Sequence, residues 1–235
     1  METKEIKKVN IHAGHRQRMR TQMKNSGLFN MSDLHFLEYL LTFVIKRSDT
    51  NPIAHALLKE FGSIPNIFTA SPHALMQVKG VGKLTAEFLQ YMSVAVYMYN
   101  KSTASKITKL DTLKNMVEYI KRVLKPSETE QFIVISLNKN YGVKDFKTFE
   151  GVSHSFISIN QTELSEFLIN HKSGFIIMAH THPHHSAMPS LKDIDVFEKL
   201  QPLLDALSLV IVENIIIGDQ DVYSLKNMQI YDMPK

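Results

Sequence analysis

The apolar pattern of this chain changes once, at a small and polar stretch over residues 100–106. Before this stretch, apolar residues recur every three or four positions, which is the period of a helix with one buried face. Clear examples are Leu37, Leu40, Leu41 and Val44, followed by Ile53, Ala54, Leu57 and Leu58. The stretch itself has no apolar period and therefore predicts a linker.

After residue 106, short runs rich in β-branched residues alternate with helical segments. Residues 132–137 and 175–180 are typical of buried strands, whereas residues 190–207 have a helical pattern. Such alternation predicts helices packed on one sheet. The predicted fold class is therefore α/β (α+β), with a small all-α domain at residues 1–105 followed by a mixed sheet flanked by helices at residues 106–235.

Composition excludes several classes of protein. Cysteine is absent from the 235 residues, which rules out disulfides, thiolate-bound zinc and thiol catalysis. No apolar run reaches the roughly 18 residues that span a bilayer, and residues 1–20 lack the apolar region of a secretory signal. The sequence therefore predicts a cytoplasmic protein without a membrane partner.

Charge is distributed unevenly along the chain. Residues 1–105 carry 13 Lys and Arg against 7 Asp and Glu, a net charge of +6. Residues 106–235 carry 14 against 16, a net charge of −2. A basic segment favours a polyanionic partner, so the front part of the chain is the candidate for such an interaction.

Histidine is concentrated at the end of one predicted strand, where four of the 11 histidines fall within residues 180–185. His180 and His182 are two positions apart, which places both imidazoles on one face of a strand end. Asp193 lies in the first turn of the next predicted helix and can fold back toward them. Two histidines and one carboxylate leave a fourth tetrahedral position open, which is the arrangement of a catalytic zinc site.

The same residues also have explanations that require no catalytic metal site. The Ser190-x-x-Asp193 spacing is close to a capping box, which by itself indicates only the start of a helix. A histidine-rich loop can also be a solvated surface or a weak metal scavenger. In particular, His184 and His185 could compete for the metal or bind a second ion.

The pattern His180-x-His182-Pro183-x(6)-Ser190-x-x-Asp193 resembles the JAMM motif of JAB/MPN-type zinc metallopeptidases. Pro189-Ser190 and the later Ile215-Ile-Ile-Gly218-Asp-x-x-Val-Tyr-Ser224 resemble the RadC branch of that family. The resemblance implies that His180, His182 and Asp193 bind one zinc ion per chain. It also implies that Ser190 hydrogen-bonds the oxyanion and that a glutamate at the start of the first core strand acts as general base.

Two glutamates are candidates for that base. Glu130 immediately precedes the run Gln131-Phe-Ile-Val-Ile135, and a carboxylate at this end of the strand can reach the metal. Glu128 has the same strand parity, and both residues could equally be solvated charges on a loop. The chain departs from the usual RadC pattern at Thr181 and at residues 184–188, where the family typically has Asn and a loop containing Gly and Asp.

A second motif lies at residues 75–89, where two glycines separate two apolar segments. Lys79, Gly80, Gly82 and Lys83 form its centre. Glycine allows a tight turn, and the free N–H groups at the start of the second helix can bind one phosphate. The motif resembles the helix-hairpin-helix of the RadC N-terminal region, which implies contact with the DNA backbone regardless of base sequence. The alternatives are a turn used only for packing and a protein contact.

A basic arm at residues 12–20 has the same two readings, a phosphate contact or a solvated charge run. Three functions follow for the whole chain. The first is a zinc-dependent hydrolase of amide or isopeptide bonds coupled to DNA, with an unidentified protein or peptide substrate. The second is a DNA-repair or recombination accessory protein with a structural or vestigial zinc site. A metal-dependent nuclease is the least supported, because no acidic cluster for two metals is visible.

Overall fold

A computed structural model describes residues 31–46, 48–151 and 159–233, together with Gln17, Met19 and Thr21. These three single residues are helical. Apart from Gln17 and Met19, the basic arm at residues 12–20 lies outside the described part of the chain. The chain divides into two compact units, residues 1–95 and residues 96–235.

The described part of the first unit is helical. Its elements are α1 (Asp33–Leu41), α2 (Asn51–Phe61), α3 (Ile64–Thr69), α4 (Pro72–Met76) and the first part of α5 (Lys83–Ala104). Serine caps start three of them, since Ser32, Ser63 and Ser71 each accept a hydrogen bond from a backbone N–H three residues later. Proline in the first turn of α2, α3 and α4 reinforces those starts.

The first unit has its own hydrophobic core, made by the buried faces of these helices. Its fully buried side chains include Leu37, Leu41, Leu57, Ile67, Leu75 and Leu89. The helical periods predicted for α1 and α2 are confirmed within the two helices, because Leu37, Leu41, Ile53, Ala54 and Leu57 are buried and Leu40 and Leu58 pack against them. Val44, the last residue of the first predicted period, lies beyond the end of α1 and is only partly buried. Among the residues that the structure describes, no helix has both the length and the apolar run that crossing a bilayer requires.

The linker predicted at residues 100–106 is wrong for its first five residues, because α5 continues to Ala104. Polar side chains there bond helix carbonyls, as Ser102 donates to the Tyr99 carbonyl and Thr103 to the Asn100 carbonyl. The side chain of Arg122, from a later helix, donates to the Thr103 carbonyl. Ala104 is buried in the core of the second unit. The boundary between the compact units falls inside α5, ten residues before the predicted boundary between residues 105 and 106.

The second unit contains a six-stranded mixed sheet. Its strands are β1 (Gln131–Leu137), β2 (Val143–Glu150), β3 (Phe175–Thr181), β4 (Val210–Ile217), β5 (Asp221–Ser224) and β6 (Gln229–Asp232). They lie in the order β2-β1-β3-β4-β5-β6, and only the β3–β4 pair is parallel. The helices of this unit are α6 (Leu113–Val123), α7 (Gln161–Asn170) and α8 (Leu191–Ala206).

Helices cover both faces of the sheet. Along β1, Ile133 and Ile135 belong to the core formed with α6, whereas Phe132 and Val134 belong to the core formed with α7 and α8. Successive side chains of a strand point to opposite faces, which explains this division. Because both faces are covered, every residue of β1 is buried, and the strand reads as a continuous apolar run.

The strand β4 is continuous from Val210 to Ile217 although its pairing is irregular. Its register against β3 shifts between Ile176 and Ile177, so Val212 is an extra residue that interrupts the pairing. The four-residue strand β6 was not predicted, because its mostly exposed sequence at the sheet edge has no apolar alternation.

Candidate functional site

His180 and His182 lie at the end of β3 and just beyond it. His180 pairs with Phe132 across the sheet, on the face that packs against α7 and α8. The backbone of His182 remains held by the sheet, since its N–H donates to the Ile217 carbonyl at 2.8 Å. His180 and His182 are only 3% and 8% exposed. Two buried imidazoles therefore face one side of the sheet, as their spacing predicts.

Asp193 reaches these imidazoles from the first turn of α8. Its Oδ1 lies 3.2 Å from His180 Nε2, and its Oδ2 lies 3.4 Å from His182 Nε2. The two Nε2 atoms are 3.1 Å apart. Within the described ranges, these three residues form the one group of histidine and carboxylate side chains that can hold a metal ion.

The spacing of the three donor groups fits a tetrahedral metal. Ligand atoms at about 2.0–2.1 Å from a zinc ion, at tetrahedral angles, lie about 3.3 Å from one another. The 3.1 Å between the two Nε2 atoms is close to that edge length. Each imidazole faces its own oxygen of Asp193, at 3.2 and 3.4 Å, and one ligand atom from each residue lies within 4.8 Å of the others. Two imidazoles and a carboxylate are also ligands that zinc accepts. The residues therefore fit a metal ion with one coordination position left for another molecule.

The hydrogen bond at the far side of His182 sets its tautomer. His182 Nδ1 lies 3.0 Å from the Ser186 carbonyl oxygen, which can only accept. In the neutral ring, Nδ1 therefore carries the hydrogen and Nε2 presents its lone pair to the group. A metal ligand needs this arrangement, and a backbone carbonyl is one of its usual partners.

The pKa values of the three residues reflect their mutual contacts. Burial alone would raise the pKa of Asp193, but hydrogen bonds with both histidines lower it far below its usual range. Burial lowers the pKa of His180 and outweighs the attraction of Asp193. At His182, burial also acts to lower the pKa, but contacts with Asp193 and Ser186 raise it overall. The carboxylate is thus ionised, and the buried His180 favours the neutral form that ligates metals.

The two candidate bases have different neighbours. The half-buried Glu130 has an electrostatic interaction with His182 and with Asp193. Burial raises the pKa of Glu130 above its ordinary value, and the negative charge of Asp193 adds to that rise, although His182 opposes it. The exposed Glu128 instead accepts a hydrogen bond from His184 at 2.9 Å. The structure therefore brings Glu130 into the electrostatic field of the histidine–aspartate group, and it brings Glu128 into contact with His184.

Ser190 forms the capping box that its spacing allows. Its Oγ accepts the Asp193 N–H at 3.3 Å, and its own N–H donates to Asp193 Oδ2 at 2.6 Å. The second bond fixes the carboxylate that faces His180 and His182, so the cap also orients a candidate ligand. Accepting a bond leaves the hydroxyl proton of Ser190 as a donor. Ser190 can therefore cap the helix and still donate a hydrogen bond to an oxyanion.

The neighbouring His184 lies outside the group. Its ring pairs with Glu128, and this hydrogen bond raises the pKa of His184. Its backbone has a φ of 64°, and its N–H donates to Asp219 Oδ1 at 3.1 Å. His185, like His184, is not part of the group that can hold a metal.

The glycine motif of the first unit is a turn between α4 and α5. Val78 and Val81 anchor it in the hydrophobic core. The residues between and after them are exposed: Lys79, Gly80, Gly82 and Lys83. Lys83 forms an ion pair with Glu87 at 3.9 Å, but its side chain is 84% exposed, so the pair binds it only weakly. Two lysines and two glycines are thus presented to solvent at the N-terminus of α5.

The two glycines occupy different environments. Gly80 has a φ of 96°, and a Cβ there would lie 2.8 Å from Cδ1 of Ile53. This glycine is required by the backbone and by packing. Gly82 has no positive φ, and no described heavy atom lies within 4 Å of a Cβ added to it. Gly82 is the N-cap residue of α5, since its carbonyl accepts the Ala86 N–H at 3.0 Å, and glycine is favoured over alanine at that position. Its open surroundings also allow a ligand to approach the backbone closely.

The glycines provide a matched pair for stability measurements. We expect Gly80→Ala to lower the free energy of unfolding by about 1–3 kcal/mol, because the added methyl group overlaps Ile53 in a strained backbone conformation. Gly82→Ala should lower it by only about 0.5 kcal/mol, since its surroundings are open and only the N-cap preference for glycine opposes alanine there. Chemical denaturation of both variants measures the difference, and equal destabilisation would contradict the assignment.

Comparison with known proteins agrees with this architecture. The family model described as "RadC-like JAB domain" matches residues 110–230. UPF0758 protein FN0909 of Fusobacterium nucleatum subsp. nucleatum is 31% identical over 218 residues, which cover 90% of this chain and 94% of that protein. UPF0758 protein SPO0054 of Ruegeria pomeroyi is 28% identical over 206 residues, which cover 87% and 91%.

The fold and the family match together define the class of this protein. The mixed sheet, its flanking helices and the match over residues 110–230 define a protein with a JAB-like domain. More narrowly, the chain belongs to the RadC family, because the match covers more than half of it and the relatives cover most of its length. The family resemblance seen in the sequence is confirmed.

Sequence reasoning missed part of the support around the histidines. The Ser186 carbonyl is a backbone group, so no residue type marks it in the sequence. Asp221 holds the same loop but lies 35 residues farther along the chain. An acidic residue at the start of a short strand has many uses, and no local pattern distinguishes this one.

Proposed function

We propose that this RadC-family protein is a zinc-dependent hydrolase that cleaves an amide or isopeptide bond. The observation that carries the proposal is the convergence of His180, His182 and Asp193, with Glu130 in their electrostatic field. A binding group alone would need only the three ligands, whereas hydrolysis also needs a base beside an open coordination position. Glu130 supplies that base.

Each residue has a distinct part in the proposed reaction. A bound zinc ion would supply Lewis acidity, polarising a carbonyl and lowering the pKa of a bound water to about 7. Glu130 accepts a proton from the attacking water and delivers it to the leaving nitrogen. The Ser190 hydroxyl donates to the developing oxyanion.

The glycine hairpin favours a second activity in the same chain, binding of the DNA backbone. Gly82 leaves the backbone at the start of α5 open, and Lys79 and Lys83 flank it with exposed positive charge. A phosphate can accept hydrogen bonds from N–H groups at a helix N-terminus. Such contacts carry no base sequence information. If this is the main activity, the protein is a DNA-repair or recombination accessory, and its metal group is structural or vestigial.

DNA binding is tested by reversing the two lysine charges. In the full-length protein, Lys79→Glu with Lys83→Glu should weaken binding to short duplexes of unrelated sequence at least tenfold. The slope of log affinity against log salt should also become shallower by about 2, because two phosphate contacts are lost. Fluorescence anisotropy at several salt concentrations measures both quantities.

The matched control is Lys46→Glu with Lys59→Glu, which makes the same change in net charge at two exposed lysines outside the hairpin. A local phosphate site requires the hairpin variant to lose much more affinity than this control. Equal losses in the two double variants would mean that net charge, and not the hairpin, attracts DNA. No loss in either variant would remove DNA binding from the proposal.

A further inference from the structure

The loop that follows β3 is held from a distant strand by one carboxylate. Asp221, the first residue of β5, accepts the Ser186 Oγ–H at 2.6 Å with its Oδ2 and the Ala187 N–H at 2.7 Å with its Oδ1. The two carboxylate oxygens therefore bind the side chain before the Ser186–Ala187 peptide bond and the N–H group of that peptide bond. Hydrogen bonds to an ionised carboxylate are roughly twice as strong as neutral ones.

The carbonyl of this peptide unit is the partner of His182. Ser186 O accepts the hydrogen of His182 Nδ1 at 3.0 Å, so the opposite ring nitrogen faces His180 and Asp193. A rotation of the Ser186–Ala187 peptide would move that carbonyl and release the imidazole. Because Asp221 holds the N–H on the same peptide, it opposes this rotation.

The β4–β5 turn gives Asp221 a defined position against the loop. The Gly218 N–H donates to the Asp221 carbonyl at 3.0 Å, and the Asp219 N–H donates to the His185 carbonyl at 3.1 Å. A Cβ on Gly218 would lie 2.3 Å from Asp221 Oδ1 and 2.5 Å from the Ala187 nitrogen. Because contacts this short allow only glycine, the backbone of the β4–β5 turn packs directly against the backbone of the loop that follows β3. Ala187 is fully buried there.

We propose that Asp221 is a positioning residue of the metal centre. It acts through the Ser186–Ala187 peptide to fix the ring orientation and the tautomer of His182, and it does not touch the metal. The proposal rests on the proposed function, because a metal must bind for the orientation to affect affinity. Partners of this kind, one step removed from a ligand, typically change metal affinity 10- to 100-fold.

The test compares zinc affinity in full-length variants by competition with a chelator. We expect Asp221→Ala to bind zinc about 10- to 100-fold more weakly than the wild type. The matched control is Asp219→Ala, which removes a carboxylate that bonds the His184 N–H in the same loop but does not contact Ser186 or Ala187 through its side chain. This control should keep nearly wild-type affinity. Equal affinity of Asp221→Ala and the wild type would overturn the proposal.

A second measurement separates positioning from general loosening of the fold. In the metal-free protein, nitrogen NMR of the neutral imidazole should show hydrogen on Nδ1 of His182 in the wild type. In Asp221→Ala this tautomer should give way to a mixture, while thermal unfolding stays close to that of Asp219→Ala. An unchanged His182 tautomer in the folded variant would overturn the proposal.

If Asp221→Ala does not fold, Asp221→Asn replaces it, since the amide has the same shape but no charge and only one acceptor oxygen. Asp221→Asn should then bind zinc more weakly than the wild type, by a factor of up to about 100. An affinity equal to that of the wild type would overturn a role for the carboxylate. A wild-type protein that binds no zinc would refute the proposed function itself. The tautomer measurement would still test the positioning of His182 by Asp221.

Discussion

Replacing Glu130 by glutamine should lower the rate of amide hydrolysis by about 10²–10⁴-fold, which is the usual contribution of a general base. Zinc content should stay at that of the wild type, because Glu130 is not one of the three converging residues. Glutamine keeps the size of the side chain but cannot accept a proton from water. Single-turnover cleavage of peptide and isopeptide substrates by zinc-loaded protein, together with metal analysis, measures both quantities.

Glu128→Gln is the control for this experiment. The side chain of Glu128 pairs with His184, at an exposed position, so its loss should change the hydrolysis rate by only a few-fold. A large loss of activity in Glu128→Gln with little change in Glu130→Gln would exchange the assignments of the two residues. If the zinc-loaded wild type cleaves no amide bond, the hydrolase proposal fails, although the metal site would stand.

Replacing His182 by alanine should abolish stoichiometric zinc binding. Wild-type protein should carry about one zinc ion per chain, and the variant should bind zinc at least about 100-fold more weakly. Loss of a residue that only hydrogen-bonds a metal ligand typically lowers metal affinity 10- to 100-fold, so loss of a ligand itself should lower it at least as much. The variant leaves only His180 and Asp193, and two protein ligands are fewer than zinc sites normally use. Metal analysis after dialysis and chelator competition provide the measurement.

His184→Ala serves as the histidine control, because its ring pairs with Glu128 and lies outside the converging group. It should retain the full zinc content of the wild type. Full occupancy in His182→Ala combined with loss in His184→Ala would move the metal to the exposed loop. Loss of zinc in both variants would indicate that the loop, rather than a single imidazole, determines binding.

Much of the fold follows from local patterns. The buried run of β1 and the helical periods of α1 and α2 depend on neighbouring residues, and the structure confirms them. The end of α5 does not follow this rule. Residues 100–104 are small and polar, yet they remain helical because Arg122 bonds a carbonyl there and Ala104 is buried in the core of the second unit. A tertiary contact thus outweighs a weak local preference.

The sequence could not show which glutamate lies near the histidines, because Glu128 and Glu130 have the same strand parity. The two residues differ in their position relative to the first residue of β1. Pairing of β1 starts where the Glu130 carbonyl accepts the Gly151 N–H and the Gln131 N–H donates to Thr181 Oγ1. Glu130 is therefore held at the edge of the sheet, whereas Glu128 lies before it and pairs with His184.

The sequence by itself determined the fold class, the family resemblance and the three candidate metal ligands. His180 and His182 share a face because side chains alternate along a strand, and Asp193 follows a recognisable helix start. Only the tertiary structure showed that Glu130 lies in their electrostatic field and that Asp221 holds their loop. These interactions join residues 34 or more positions apart, and such distant pairs leave no periodic signal in the sequence of one chain.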